Sequence, residues 1–200
     1  FVSQSAEREG KLLEPFLDAL LREIAETGRL LAATPFRVRT VYIGGGTPTT
    51  LSAPQLERLL EAISRHFDLE RVLEYTVEAG RPDTLDAEKL AVLKRGGVTR
   101  VSVNPQTMQD GVLERIGRRH TAADTRRAYA RAREAGFDDI NMDLIAGLPG
   151  DSAAGFAASL AQCLDLQPSN LTVHTLARKR GSGLNLDRRG GSARRRGGTD

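Results

Sequence analysis

The chain has 200 residues, 40% hydrophobic and 28% charged, ordinary values for one globular domain with a sizeable core. It contains no run of eighteen apolar residues, which excludes a transmembrane helix, and it does not open with the basic and then apolar pattern of a secretory leader. The net charge of +3 comes from the end of the chain: Arg178 to Asp200 carries eight Lys/Arg against two Asp, and the rest is net −3.

From Leu12 to Ile24 the residues Leu13, Phe16, Leu17, Leu20, Leu21 and Ile24 recur at helical spacing. A strand is predicted from about Val38 to Ile43, ending in the turn Gly44-Gly45-Gly46-Thr47-Pro48-Thr49. Ser52 then opens a helix, with Gln55 three residues on in a capping-box pattern and Leu56, Leu59, Leu60, Ile63 and Phe67 on its inner face. The next strand is Leu73 to Glu78, followed by a helix that stops at Gly96-Gly97. A third strand spans Thr99 to Asn104. A short helix follows near Asp110 to Ile116, then a longer one from Thr121 to Ala135, closed by Gly136. Ile140 to Ile145 is the fourth strand, Asp151 to Leu166 a helix, and Leu171 to Leu176 the last strand.

Alternating strands and helices imply a parallel sheet with right-handed crossovers, either doubly wound or closed toward a barrel. Strand parity separates the two. Leu73, Tyr75 and Val77 alternate with Glu74, Thr76 and Glu78; Val101 and Val103 with Ser102, Asn104 and Gln106; Ile140, Met142 and Leu144 with Asn141 and Asp143. A sheet covered on both faces reads as continuous apolar runs. One polar face instead implies an α/β fold of the partial (β/α) barrel type, helices outside and a wet interior. Glu78, Gln106 and Asp143 are expected on the concave side at the C-terminal rim, where such barrels place their sites.

Cys163 is the sole cysteine. It shares a helical face with Phe156, Leu160 and Leu164, so it reads as a buried apolar residue. One thiol excludes an internal disulfide framework and fits a reducing cytoplasm. The expected organisation is a domain over residues 1–177 and an Arg/Gly-rich, disordered tail over 178–200. That tail has no aromatic residue for base stacking, and nothing else points to nucleic acid. The triple glycine lets a ligand approach the backbone, but there is neither a GxGxxG nor a Lys-Ser/Thr pair, so nucleoside triphosphate binding is not expected. His120 and His174 are further candidate site residues.

GGGTPT, VEAGRPDTL, VSVNPQTM, IGRRHT, NMDLIAGLPG and VHTLARKR, in that order from about Val41 to Leu184, resemble the radical S-adenosylmethionine (SAM) family of oxygen-independent coproporphyrinogen III oxidases (HemN-like). The NPQTM and IGRRHT versions look most like its coproporphyrinogen dehydrogenase branch, HemZ. The resemblance implies SAM and a [4Fe–4S] cluster as cofactors, coproporphyrinogen III as substrate, and an electron donor such as flavodoxin or ferredoxin. It implies reductive cleavage of SAM and radical decarboxylation of two propionates to give protoporphyrinogen IX, in haem biosynthesis in the cytoplasm. Carried over residue by residue, Gly45, Gly46 and Thr47 would lie against the amino-acid part of SAM. Glu78 matches the acidic residue at the next strand end, Gln106 the glutamine after the third strand, and Arg118 the arginine placed to grip the SAM carboxylate. Asp143 matches the aspartate that accepts ribose hydroxyls, and Ala177 a small residue whose backbone approaches the ligand.

One departure is large: the family's CxxxCxxC cluster motif is absent from these 200 residues. Phe1-Val2-Ser3 resembles what directly follows the last cluster cysteine, so the motif and the first barrel strand are expected upstream, and this chain alone is expected to be inactive. Two alternatives stay open, a HemW-like haem chaperone that shares these motifs and a non-radical (β/α) barrel with a phosphate loop.

Overall fold

The computed structural model describes residues 6–176, with side chains from residue 12 onward. In chain order the elements are α1 (Ala6–Ala32), β1 (Thr40–Ile43), α2 (Ala53–His66), β2 (Glu74–Ala79), α3 (Ala87–Arg95) and β3 (Arg100–Val103). Then come α4 (Asp110–Arg115), α5 (Ala122–Glu134), β4 (Asp139–Ala146), α6 (Ala153–Asp165) and β5 (Asn170–Thr175). The starts of α2, α3, α5 and α6 have a local cause. Ser52 and Gln55 close the predicted capping box, Thr121 and Asp124 close a second, and the Asp86 and Ser152 side chains accept the N–H groups of Lys89 and Gly155.

All five strands are parallel and lie side by side in chain order, β1-β2-β3-β4-β5. They form a curled half-barrel with helices, the α/β architecture that strand parity implied. Tyr75, Val77, Ala79, Val101, Val103, Ile140, Met142 and Leu144 form one parity, each at most 1% exposed. They join Leu56, Leu90, Leu93 and Phe137 in a single core beneath the helices. Burying a side chain of this kind stabilises by about 1.5–3 kcal/mol, so the apolar parity fixes which way the sheet faces. Thr76, Glu78, Ser102, Asn141, Asp143, Thr172 and His174, of the other parity, line the concave side.

Three residues differ from their expected placement. Phe16 is 61% exposed, because α1 presents Leu13, Leu17, Leu20, Leu21 and Ile24 to the core and Phe16 falls on the flank. Leu164 is 55% exposed: Phe156, Leu160 and Cys163 already fill the inner face of α6, and Leu164 turns away from it. Leu73 is 70% exposed, one residue ahead of β2, with its N–H donating to the Arg39 carbonyl. The expected tail over 178–200 lies outside the described residues. Among the described residues no helix is long and apolar enough to cross a membrane.

α1 crosses α2 closely. Arg58 reaches back to Glu14 at 2.6 Å and Asp18 at 2.8 Å, and at Gly28 a Cβ would lie 2.5 Å from the His66 carbonyl oxygen and 2.7 Å from its Cβ. Alanine at a free helical site gains about 1 kcal/mol over glycine. Here the overlap is partly with backbone, which cannot rotate aside, and overpacking of this kind costs about 1–3 kcal/mol. Gly28→Ala is therefore expected to lower the unfolding free energy by a net ~1 kcal/mol, read as a lower urea midpoint. An unchanged or raised midpoint would show that α1 slides freely.

Candidate functional site

The concave side of β1 to β5 encloses a cavity of about 260 Å³ lined by polar and charged side chains. Parallel pairing sets its rows: Tyr42 lies beside Thr76, Glu78 beside Ser102, Ser102 beside Asn141, and Asp143 beside Thr172. At the N-terminal end Arg100 closes the floor, 2.8 Å from Glu74 and 3.6 Å from Asp139. The Arg100 pair and hydrogen bonding from Thr76, the latter first, hold the Glu74 carboxyl below its ordinary range. A larger cavity of about 420 Å³ lies between α1, β1 and α2, but its lining is mostly apolar.

Asn141 is the hub of the interior. Its amide donates to Ser102 Oγ at 2.8 Å and Asp143 Oδ1 at 2.7 Å; its carbonyl accepts from Asn170 Nδ2 at 2.7 Å and Thr172 Oγ1 at 3.1 Å. Asp143, with a side chain 19% exposed, is thereby fixed from below, and its other oxygen stands 3.9 Å from His174 Nε2. It sits midway along β4 rather than at the strand end.

The glycine loop caps the same end of β1 and β2. Gly45 and Gly46 have φ of 79° and 57°, a region strained for other residues, and a Cβ on either would meet nothing within 4 Å. The loop is open toward the rim, and at Gly45 its amide donates to Glu78 Oε2 at 3.3 Å. Thr47 follows as the N-cap of the turn Pro48–Thr50. Tyr42 donates to Glu78 Oε1. Burial first, and then the Glu78 carboxylate, push this phenol above its ordinary pKa, so it stays a donor.

Of the predicted residues, Glu78 and Asp143 line the cavity, and Gly45 reaches it through Glu78. Gln106 is 8% exposed at φ 67°; its backbone bridges to β4, its N–H donating to the Asp143 carbonyl, and its side chain is not in the lining. Arg118 sits on the neighbouring rim among the charges of Arg81 and Asp83, and burial is the largest cause of its lowered pKa. Ala177 lies outside the described residues. His174 lines the cavity, whereas His120 is buried with its ring 3.2 Å from the Pro105 carbonyl, and burial holds its pKa low. It reads as a core histidine. The residues missed from sequence are Tyr42, Arg100 and Thr172; all three have the polar parity of their strands, which was the available signal.

A family model for the radical SAM superfamily matches residues 13–163, and the chain belongs to that superfamily. Over 168 residues it is 45% identical to the oxygen-independent coproporphyrinogen-III oxidase-like protein HemZ of Bacillus subtilis, covering 84% of this chain and 34% of that protein. It is 41% identical to the heme chaperone HemW of the same organism over 82% of this chain and 43% of that protein. Coproporphyrinogen III oxidase (HemN) from Escherichia coli, a solved radical SAM enzyme, superposes with a TM-score of 0.75 at 28% identity, over 90% of this chain and 40% of that one. The chain thus spans between 34% and 43% of the length of these relatives.

The family implies SAM and a [4Fe–4S] cluster. The rim fits SAM: an open glycine loop, a carboxylate at Glu78 able to accept an ammonium group, and a second at Asp143 able to accept hydroxyls. The cluster does not fit. Cys163 is the sole thiol, 0% exposed and turned toward the core, and among the described residues no three His, Cys, Asp or Glu stand together as metal ligands.

Proposed function

We propose that this chain is the SAM-binding half-barrel of an enzyme of haem biosynthesis that oxidatively decarboxylates the propionates of coproporphyrinogen III to give protoporphyrinogen IX. The observation that carries the reading is the pairing of an open glycine loop with two carboxylates on one polar concave face, in a chain 45% identical to HemZ. SAM, when bound and given one electron by a donor from outside this chain, would supply hydrogen-abstracting chemistry.

The chain's own residues bind and orient. Gly45, Gly46 and Thr47 offer backbone to the amino-acid end, and Glu78 accepts its ammonium group. Arg118 grips the carboxylate and Gln106 shapes the rim between them, with Ala177 a further backbone contact. Asp143, held by Asn141, accepts the ribose hydroxyls. Substrate meets this face above the cavity, and an acidic electron donor such as flavodoxin or ferredoxin docks outside it. The setting is cytoplasmic, and no nucleic acid or membrane takes part.

Glu78→Ala and Asp143→Ala are each expected to weaken SAM binding by ~10-fold or more in calorimetric titration, because hydrogen bonds to charged groups contribute about 1.5–3 kcal/mol. Wild-type affinity in both variants would remove the site from this rim. For the reaction, a fusion supplying a CxxxCxxC segment ahead of Phe1 is expected to convert coproporphyrinogen III with release of CO2. The 41% identity to HemW supports a second reading, haem chaperoning. Stoichiometric haem binding by that fusion without decarboxylation would favour it.

A further inference from the structure

Tyr42 belongs to no motif of the glycine loop, yet its side chain lies across the first of the three glycines. A Cβ at Gly44 would overlap the Tyr42 ring and come within 3.2 Å of Glu78 Cδ, unlike one at Gly45 or Gly46. The phenol thus passes over Gly44 from β1 to reach Glu78 on β2. There it donates to Oε1 while Gly45 N–H, at 3.3 Å, donates to Oε2. Both oxygens are engaged from the loop side, and the carboxylate plane is set by two groups on opposite flanks of Gly44. A glutamate at a strand end otherwise rotates about three side-chain torsions, and fixing it in advance removes an ordering cost from binding.

We propose that Tyr42 is a positioning residue: its hydroxyl clamps Glu78 in the orientation that receives the ammonium end of the bound nucleoside-amino acid, and Gly44 is glycine to let the phenol cross. This rests on the SAM-site reading given above. It divides the triple glycine into two jobs. Gly45 and Gly46 supply backbone conformation and an open surface, whereas Gly44 makes room for a side chain of the protein itself.

The test uses the 200-residue chain, with Tyr42→Phe, Tyr42→Leu and Glu78→Gln. The first readout needs no ligand: amide hydrogen exchange of Gly45, with Val101 and Val103 as internal references for global stability. Loss of the hydroxyl alone, in Tyr42→Phe, is expected to speed Gly45 exchange and to weaken SAM binding each by ~10-fold, about 1.4 kcal/mol, the size of one charge-assisted hydrogen bond. Glu78→Gln should do the same, and the double variant should be no worse than either single one. If Tyr42 only packs against the loop, Tyr42→Phe matches wild type and Tyr42→Leu alone shows loss, which overturns the proposal. Wild-type chain that binds no SAM while Tyr42→Phe still frees Gly45 would sink the SAM site and keep the clamp. Unchanged Gly45 exchange in Tyr42→Phe sinks the clamp whatever SAM does.

Discussion

Anaerobic incubation of this chain with iron and sulfide is expected to leave it without a stoichiometric iron–sulfur cluster, with no SAM cleaved above background. Clusters of this kind are held by several cysteine thiolates on a reachable loop. The chain has Cys163 alone, 0% exposed on the inner face of α6 beside Phe156 and Leu160. Desolvation pushes its thiol up to about 11, so it is protonated at neutral pH and is neither a ligand nor a ready nucleophile. Turning it outward would pull the inner face of α6 off the core it packs against. The expected effect is all or none: absorbance near the charge-transfer band, iron and sulfide content, and an assay for 5′-deoxyadenosine should all stay at background. A fusion that brings three cysteines on one loop gains the cluster. One cluster per chain without such a segment would show that the ligand set has been misidentified.

That prediction was readable in the sequence, since counting cysteines needs no fold. The architecture was nearly as readable: Val101 and Val103 against Ser102 and Asn104, or Ile140, Met142 and Leu144 against Asn141 and Asp143, state which way each strand faces. The capping box at Ser52 and Gln55 fixed a helix start to the residue. What stayed hidden depends on neighbours distant in sequence. Helical periodicity puts Phe16 and Leu164 on apolar faces, but how wide a face is covered depends on what packs against the helix, and both residues fall outside it. Gln106 obeyed the strand alternation on paper. In the fold the strand ends at Val103, and a left-handed residue turns the backbone of 106 onto β4. Tyr42 looked like an ordinary strand tyrosine because its partner is 36 residues away on the next strand. Glu78, Asp143 and the glycine loop come together because parallel strands in chain order bring successive C-terminal ends to one rim, and that follows from topology alone.

The interior polar ladder carries the largest expected effect on stability, through Asn141. This side chain is 6% exposed and spends both amide protons and both carbonyl lone pairs, linking β3, β4 and β5. No other residue type of that size donates twice and accepts twice in one plane. Asn141→Ala leaves four groups short of a partner at once: the Ser102 hydroxyl, the Asp143 carboxylate, the Asn170 amide and the Thr172 hydroxyl. Of these only Ser102 is buried, Asp143 and Thr172 are half-buried and Asn170 is exposed, so the cost of about 1–3 kcal/mol for an abandoned buried group applies in full only at Ser102. The adjoining cavity, about 260 Å³, admits water that restores part of this. A net destabilisation of ~2 kcal/mol follows, with SAM affinity falling too as Asp143 loses its anchor. Asn141→Asp is expected to be at least as damaging at neutral pH, since it puts a second carboxylate beside Asp143 and removes both donors. The crowded pair binds protons more tightly in the folded than in the unfolded state, so the deficit relative to wild type is greatest above the carboxylate range and shrinks as pH falls through it. Urea midpoints measured at two pH values read both effects. An unfolding free energy for Asn141→Ala within 0.5 kcal/mol of wild type would mean that water alone can hold the three strands in register. The polar face would then be tuned for its ligand and not for the barrel.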